Sequence, residues 1–182
     1  MLKYLINTGK TVFSSEDLGK ILEISNKNYL AVLLWRMVKR KELIRIRKGI
    51  YAYSLDYNNL ELANKLKRPS YVSLEKVLFD NSIIFQDYSN KITSVSNNNY
   101  SERVGNTEYI YYKIKDEILF NPLGILTMNK TRIASVERAI CDTLYLSKNF
   151  YFDRLDDIDK EKLIEISKIY NKRVIAEIKK YV

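Results

Sequence analysis

The sequence predicts an α+β fold in two parts, a small basic N-terminal module followed by a larger mixed α+β module with an antiparallel sheet. Helical periodicity dominates residues 1–40, and arginine then alternates with isoleucine over 43–47. The distribution of charged residues also separates an N-terminal part from the rest of the chain. Residues 1–68 hold 14 Lys and Arg against 6 Asp and Glu, whereas residues 69–182 hold 17 against 16. An excess of cations confined to one module is typical of nucleic-acid binding.

Two short helices are predicted before residue 23. The first spans about residues 2–8, and a brief extended stretch at Val12 and Phe13 follows it. Ser14 is a suitable N-cap, and Asp17 lies three residues further on, which is the spacing of a capping box. The second helix is therefore expected to begin at Ser14 and to end near Leu22.

A third helix is predicted from SNKNYLAVLLWRMVKRK, with Ser25 as its N-cap. Its apolar stripe follows the helical period and consists of Leu30, Leu33, Leu34, Met37 and Val38. The opposite side carries Ser25, Asn28, Val32, Trp35, Arg36 and Lys39. Two helices joined by a tight turn, the second cationic on its outward side, are typical of a helix-turn-helix.

The stretch RKELIRIRKGIYAY (40–53) predicts a β-hairpin. Leu43 and the arginines alternate with isoleucines, so the isoleucines are expected to cover the helices while the arginines face outward. Lys48 and Gly49 supply the turn, because glycine tolerates the positive φ that tight hairpins need. Three helices followed by a hairpin form the order of a winged helix-turn-helix, which we predict for residues 1–56.

Residues 57–70 are predicted to form a linker that contains one amphipathic helix, ended by Pro69. Residues 71–182 are predicted to form the second module. Its expected elements are a helix at 73–79, strands at 91–95, 107–115 and 125–127, a polar loop or hairpin turn at 96–106, a helix capped by Ser135 and one or two helices over 160–181, broken near Asn171.

The candidate DNA-binding residues lie at both ends of the third helix and on the hairpin. Asparagine can form two hydrogen bonds with adenine, helix N-termini attract phosphate, and hairpin arginines commonly hold the DNA backbone. The predicted set is Ser25, Asn26, Lys27, Asn28, Tyr29, Arg36, Lys39, Arg45, Arg47 and Lys48. The alternative is an ordinary polar first turn and a solvated cationic helix end that suits the helix dipole.

The composition argues against an enzyme. The chain has no histidine and one cysteine, so it lacks the commonest general base and cannot form a thiolate metal cluster. We therefore predict no catalytic residue, no metal and no cofactor. The acidic group Asp153, Asp156, Asp157 and Asp159 is expected to cap C-terminal helices. Glu137 and Arg138 are expected to be ordinary helix residues, and Cys141 a small buried thiol.

The same composition predicts a cytoplasmic protein without a membrane partner. No apolar run approaches the roughly 18 residues of a membrane span. The N-terminal segment lacks the apolar stretch and cleavage site of a signal peptide. A single cysteine also excludes an intramolecular disulfide.

Several segments together resemble the AbiEi-type antitoxins of bacterial abortive-infection toxin–antitoxin systems. They are the predicted helix-turn-helix and hairpin, RPSYVSLEKVLF, ITSVS, YIYYKIK and IASVERAICDTLYL. The last contains Ala-Ser-x-Glu-Arg-Ala-x-x-Asp, with arginine where lysine is expected. The resemblance covers nearly the whole chain, and its later segments are more specific than a winged helix alone. It implies a winged helix that represses its own operon and a second domain that counteracts a nucleotidyltransferase-like toxin, without requiring a stable toxin–antitoxin complex.

Three functions remain open at this point. The first is an antitoxin and transcriptional autorepressor that binds double-stranded operator DNA, with self-association on DNA left open. The second is a stand-alone winged-helix regulator whose C-terminal domain senses a ligand or dimerises. The third is a metal-dependent nuclease. The charge distribution and the resemblance favour the first.

Overall fold

A computed structural model of the chain describes residues 2–128 and 130–182. The chain divides into two compact units, Met1–Leu66 and Lys67–Val182. The boundary falls inside the segment 57–70 that is predicted as a linker. The described strands form a three-stranded sheet in the first unit and a six-stranded sheet in the second. Both units also contain helices, so the predicted α+β class is confirmed.

The first unit combines helices with a small antiparallel sheet. Its helices are α1 (Leu2–Asn7), α2 (Ser15–Ile21), α3 (Lys27–Lys39) and α4 (Asn59–Leu66). Its strands are β1 (Val12–Ser14), β2 (Ile44–Arg47) and β3 (Ile50–Ala52). They lie in the order β1-β3-β2, and both pairs are antiparallel.

Side-chain caps set the starts of α2 and α3. Ser14 and Asp17 form the predicted capping box, since each side chain accepts the other residue's backbone N–H, at 3.1 and 2.8 Å. The predicted cap of α3 is wrong by one residue. Asn26 takes the place expected for Ser25, and its Oδ1 accepts the N–H groups of the second and third helical residues at 3.0 Å. Serine and asparagine are equally good caps, so composition alone does not separate them.

The core of the first unit lies between its helices and its sheet. Its main cluster of buried apolar residues consists of Leu5, Phe13, Leu18, Leu30, Leu34, Met37, Leu43 and Tyr51. Leu33 and Val38 pack against them at the edge, so the predicted apolar stripe of α3 is confirmed. Fully burying a side chain of this size stabilises the fold by about 1.5–3 kcal/mol.

The hairpin departs from the predicted alternation. Leu43, expected beside the arginines, is 1% exposed in the core, whereas Ile44 and Ile46 are only half-buried. The pairing also shifts between Arg45 and Arg47, which face consecutive residues of β3. An extra residue in one strand interrupts the two-residue period. One continuous alternation over the whole segment was therefore the wrong pattern.

α4 packs within the first unit through two polar contacts. Buried Glu61 accepts the N–H and the hydroxyl of Thr11, both at 2.8 Å. Lys65 Nζ lies 2.6 Å from Asp17 Oδ2, and the two side chains are 9% and 18% exposed. Burial by itself would raise the pKa of Asp17, but hydrogen bonds from Lys65 and Ser14, with the charge of Lys65, lower it to about 2.

The second unit is built on the six-stranded sheet. Its strands are β4 (Ser70–Val72), β5 (Lys91–Ser96), β6 (Tyr100–Val104), β7 (Thr107–Lys113), β8 (Ile125–Met128) and β9 (Thr131–Ala134), in the order β6-β7-β5-β4-β9-β8. Its helices are α5 (Glu75–Asp80), α6 (Asp116–Leu119), α7 (Val136–Leu146), α8 (Lys160–Ser167) and α9 (Lys172–Ile178).

The predicted antiparallel sheet is wrong in part, because this sheet is mixed. β4–β9 and β5–β7 are parallel pairs, whereas β4–β5, β6–β7 and β8–β9 are antiparallel. Pairing between strands distant in sequence leaves no local pattern. Segment 96–106, expected to be a polar loop or hairpin turn, contains β6. Its polar residues suit a strand at the edge of a sheet.

Local sequence signals predict the C-terminal helices better than they predict the pairing of the strands. Ser135 caps α7, and Asn171 caps α9 at the expected break. Asp159 caps α8, its Oδ1 accepting the N–H of Lys162 at 3.0 Å, as expected for this acidic residue.

The partly buried Asp17–Lys65 pair generates a prediction for stability. Replacing Asp17 by Asn should lower the free energy of unfolding at pH 7 by roughly 1–2 kcal/mol, after allowance for solvent screening. The folded pKa of Asp17 is depressed to about 2 from an ordinary 3.8. Its contribution is therefore present above about pH 4 and lost as pH falls through 2. Urea unfolding of both proteins between pH 7 and pH 2 measures this.

Glu16→Gln is the matched control. It removes an equally short ion pair, 2.6 Å to Lys20, whose side chains are 68% and 75% exposed. We expect a change below about 0.5 kcal/mol there. If the difference in unfolding free energy between the wild type and Asp17→Asn stayed constant down to pH 2, the ionised Asp17 carboxylate would not be the source of the stabilisation.

Candidate nucleic-acid interface

The outward side of α3 carries the polar and cationic residues that the sequence places there. The exposed members of the predicted set in and before this helix are Ser25, Asn26, Lys27, Asn28, Tyr29, Arg36 and Lys39. The first five surround the helix N-terminus, and the last two lie near its C-terminus. The N-terminus of this 13-residue helix carries a partial positive charge, which attracts anions.

Trp35 and Lys39 form a cation–π contact on this surface. Lys39 Nζ lies 4.5 Å from the centroid of the Trp35 ring. The indole is 56% exposed. An exposed cation–π contact of this kind contributes about 0.5–1 kcal/mol. It holds a flat apolar surface and a positive charge side by side where a ligand can meet both.

A groove of about 1160 Å³ lies between α2, α3 and the β2–β3 hairpin. It brings together residues distant in sequence, namely Ser25 and Lys27 from the start of α3 with Arg45 and Lys48 from the hairpin. Its lining also includes apolar residues, Ile24, Leu30, Ala31, Leu34, Trp35, Val38 and Tyr51. The groove therefore combines cations with an apolar wall.

The hairpin turn is held in place by backbone geometry. Gly49 has a φ of +81°, the positive value that the sequence predicts for this turn. Its carbonyl accepts the N–H of Ser15 at 2.9 Å, and Ser15 is the first residue of α2. The turn therefore lies against the start of α2, which encloses the groove on that side.

The structure does not bring the whole predicted set to the groove. The exposed residues Asn26, Asn28, Tyr29, Arg36 and Lys39, at the start of α3 or on it, do not line the groove. Arg47 is half-buried, unlike exposed Arg45 and Lys48.

Asn26 and Asn28 also differ in what they can recognise. The amide oxygen of Asn26 is engaged in the helix cap, so it is less suited than exposed Asn28 to a paired hydrogen bond with a base.

Sequence reasoning missed Lys20, which lines the same groove. Its ammonium pairs with Glu16 Oε1 at 2.6 Å, and Glu16 and Glu23 are the acidic residues of the lining. The Glu16–Lys20 spacing of four residues signals an ion pair on a helix. It gives no sign that this face of α2 meets the hairpin, because that depends on tertiary contact.

The second unit contains a buried polar cluster centred on Arg138 and Asp142, both 0% exposed. Arg138 Nε lies 3.6 Å from Asp142 Oδ1. The carboxylate also accepts hydrogen bonds from the hydroxyls of Ser73 at 2.7 Å, Tyr170 at 2.6 Å and Tyr71 at 3.1 Å. The expectation that Arg138 is an ordinary helix residue is therefore wrong. Asp142 lies four residues on in α7, but the other partners of Arg138, Tyr71, Leu123 and Ile118, come from segments that no local pattern connects with α7.

The remaining donors of Arg138 hold α6 and the segment that follows it. They donate to the carbonyls of Leu123 and Ile118 at 2.7 and 2.6 Å. Burial would lower the pKa of Arg138, but the charge of Asp142 raises it. Burial, with the same negative charge, raises the pKa of Tyr71 and Tyr170. We assign this cluster a structural role, because these groups are buried away from solvent.

Other candidate chemistry is sparse in the described residues. Within 2–128 and 130–182, no group of three or more His, Cys, Asp or Glu side chains is placed to hold a metal ion. No helix in these ranges is long and apolar enough to cross a membrane. Cys141 is buried, as expected, and burial raises the pKa of its thiol.

The chain matches no family model and no curated protein. The resemblance to the AbiEi-type antitoxins therefore stays a prediction.

The Arg138 cluster predicts a large loss of stability on breaking the pair. Arg138→Met should lower the free energy of unfolding by about 3–5 kcal/mol, because it leaves Asp142 buried without its counter-charge. Urea denaturation followed by circular dichroism measures the effect. Arg103→Met, at an exposed position of β6, is the control and should change stability by less than about 0.5 kcal/mol. Equal stability of the two variants would refute the central role of Arg138.

Proposed function

We propose that the first unit is a winged helix-turn-helix that binds double-stranded DNA. The succession α1-β1-α2-α3-β2-β3, with β1 paired to the hairpin, supports this. The observation that carries the proposal is the placement of Lys27, Arg45 and Lys48. All three are exposed, line one groove and form no ion pair with another residue of 2–128 or 130–182.

DNA phosphates are the ligands that this surface suits best. A duplex carries one negative charge per about 1.7 Å of its axis, and cations that neutralise phosphates release condensed counterions. The cations of α3 and of the hairpin are held on different elements, so they can contact phosphates on both sides of a helix inserted in the major groove. The exposed residues of the first turn of α3, Asn28 among them, are then the candidates for contacts with bases.

The biological role that we propose follows from the resemblance of the sequence to AbiEi-type antitoxins. The chain represses its own operon by binding operator DNA in the cytoplasm, and its second unit counteracts a nucleotidyltransferase-like toxin encoded next to it. No stable complex with the toxin is required for this role. The protein acts without catalysis, metal or cofactor, as a binding protein.

Salt dependence tests the DNA-binding proposal. With about five to eight phosphate contacts, the logarithm of affinity should fall against the logarithm of salt concentration with a slope of roughly −4 to −7. Arg45→Ala/Lys48→Ala should make the slope shallower by about 2 and weaken binding to all sequences. Anisotropy of a labelled duplex from upstream of the gene gives both values. Fluorescence of Trp35, the single tryptophan, reports binding independently.

Lys113→Ala/Lys115→Ala is the matched control, since it removes two exposed cations from the second unit. It should leave the slope unchanged. If the hairpin variant keeps the wild-type slope, the hairpin does not contact phosphates and the proposed interface is wrong.

Co-expression with the neighbouring gene tests the antitoxin role. If that gene encodes the toxin, the full chain should restore growth of cells that express it. Arg45→Ala/Lys48→Ala should restore growth equally well, because the proposed antitoxin surface lies in the second unit, and should lose repression of an operon reporter. Loss of repression without any rescue by either protein would favour the stand-alone regulator.

A further inference from the structure

The outward face of α3 is uncharged at its centre over the first two turns. Asn28 and Val32 are four residues apart, so they lie on the same face of the helix, opposite its buried side. Asn28 is exposed, and Val32 is 47% exposed. Lys27, the cation of the first turn, lines the groove with the hairpin instead. Two uncharged side chains therefore occupy the part of α3 that a helix-turn-helix presents to base edges.

The two side chains match the groups of an A·T pair. The N–H of Asn28 donates to Asn26 Oδ1 at 3.0 Å, so the cap uses the amide of Asn26 and leaves that of Asn28 for a ligand. A carboxamide offers an acceptor and donors side by side, which fit N6 and N7 of adenine in the major groove. The methyl groups of Val32 fit the 5-methyl group of thymine.

A G·C pair finds no such partners on this part of the face. Guanine presents two acceptors, N7 and O6, which Arg or Lys reads best. The cations of α3 after Lys27 are Arg36 and Lys39, and both lie in its last turn. Cytosine presents an N4 donor, which Asp or Glu reads, and α3 contains no acidic residue. The chemistry of the first two turns therefore favours A·T pairs.

We propose that α3 reads neighbouring A·T base pairs in the major groove. Asn28 bonds N6 and N7 of an adenine, and Val32 packs against the 5-methyl group of a thymine. Four residues of helix span about 6 Å, which corresponds to about two base-pair steps of a duplex. The proposal rests on DNA binding by the first unit and adds which bases are chosen.

The cations and the uncharged side chains then have separate tasks. Lys27, Arg45 and Lys48 hold phosphates, which are the same in every sequence, and give the surface the charge that a duplex requires. Asn28 and Val32 contribute no charge and meet groups that differ between base pairs. Arg45→Ala/Lys48→Ala should therefore weaken binding to A·T and G·C duplexes by the same factor.

Three duplexes of equal length separate readout in the major groove from readout in the minor groove. They consist of alternating A·T, G·C or hypoxanthine·cytosine pairs. Hypoxanthine presents the major-groove acceptors of guanine but lacks its minor-groove amino group. Fluorescence anisotropy at one salt concentration should show that the full chain binds the A·T duplex at least about tenfold more tightly than either of the others.

Each other outcome has a definite meaning. If the hypoxanthine duplex binds as tightly as the A·T duplex or more tightly, the choice is not made by α3 in the major groove and the proposal is wrong. If all three duplexes bind alike and binding keeps its salt dependence, the first unit binds DNA without reading bases, and only this proposal fails. If no duplex is bound, the proposed DNA binding fails with it.

Changes of one group in the A·T duplex test each side chain. Deoxyuridine in place of thymidine removes only the 5-methyl group and should weaken wild-type binding about fourfold for each methyl group contacted. Val32→Ser should bind the two duplexes equally. 7-Deazaadenine in place of adenine removes the N7 acceptor and should weaken wild-type binding about fivefold, because one hydrogen bond is lost. Asn28→Ala should not distinguish these duplexes.

Val182→Ser and Asn98→Ala are the matched controls, since they change the same residue types at exposed positions of the second unit. Both should keep the wild-type ratios of affinity, and circular dichroism would show that every variant is folded. If Val32→Ser stays as sensitive as the wild type to loss of the methyl groups, Val32 does not read thymine. The same sensitivity of Asn28→Ala to loss of N7 would overturn the role of Asn28.

Discussion

The pairing of β3 with β1 on one side and β2 on the other is the constraint on which the first unit depends. It joins residues 12–14 to the hairpin, with Phe13 opposite Tyr51 and both side chains in the core. The hydrogen bond from Ser15 to Gly49 then places the turn against α2. Because the hairpin is held there, Arg45 and Lys48 line the same groove as Lys27. Without β1, the hairpin would be a two-stranded ribbon of marginal stability.

Cationic residues play opposite parts in the two units. In the first unit, Arg45 and Lys48 remain exposed, and the fold leaves them available to a polyanion. In the second unit, Arg138 is 0% exposed and its donors are used by Asp142, Tyr71 and two backbone carbonyls. A buried guanidinium tolerates loss of water only when its donors are satisfied. The same type of side chain thus stays exposed in one unit and supports internal cohesion in the other.

Much of the fold follows from short-range signals, and the errors occur where those signals end. Ser14 and Ser135 were identifiable as caps, and the neighbourhood of Asn171 as a helix break, because the groups that these side chains bond lie within three residues. The apolar stripe of α3 was identifiable for the same local reason. The candidate site was predictable as a set of residue types on one helix and one hairpin. The half-burial of Arg47 and the place of Lys20 in the groove were not, since each depends on a neighbouring element. The cap of α3 was missed for a different reason, because Ser25 and Asn26 are equally good N-caps in adjacent positions.

The sequence by itself determined the caps of α2 and α7, which face of α3 is apolar and that the cations are concentrated in residues 1–68. These properties depend on contacts over one or two turns, so local periodicity records them. Only the tertiary structure decided the parallel pairs β4–β9 and β5–β7, the burial of Arg138 and the meeting of α3 with the hairpin in one groove. Each of these joins segments whose separation along the chain is much longer than any local pattern, and packing alone selects among the possible partners.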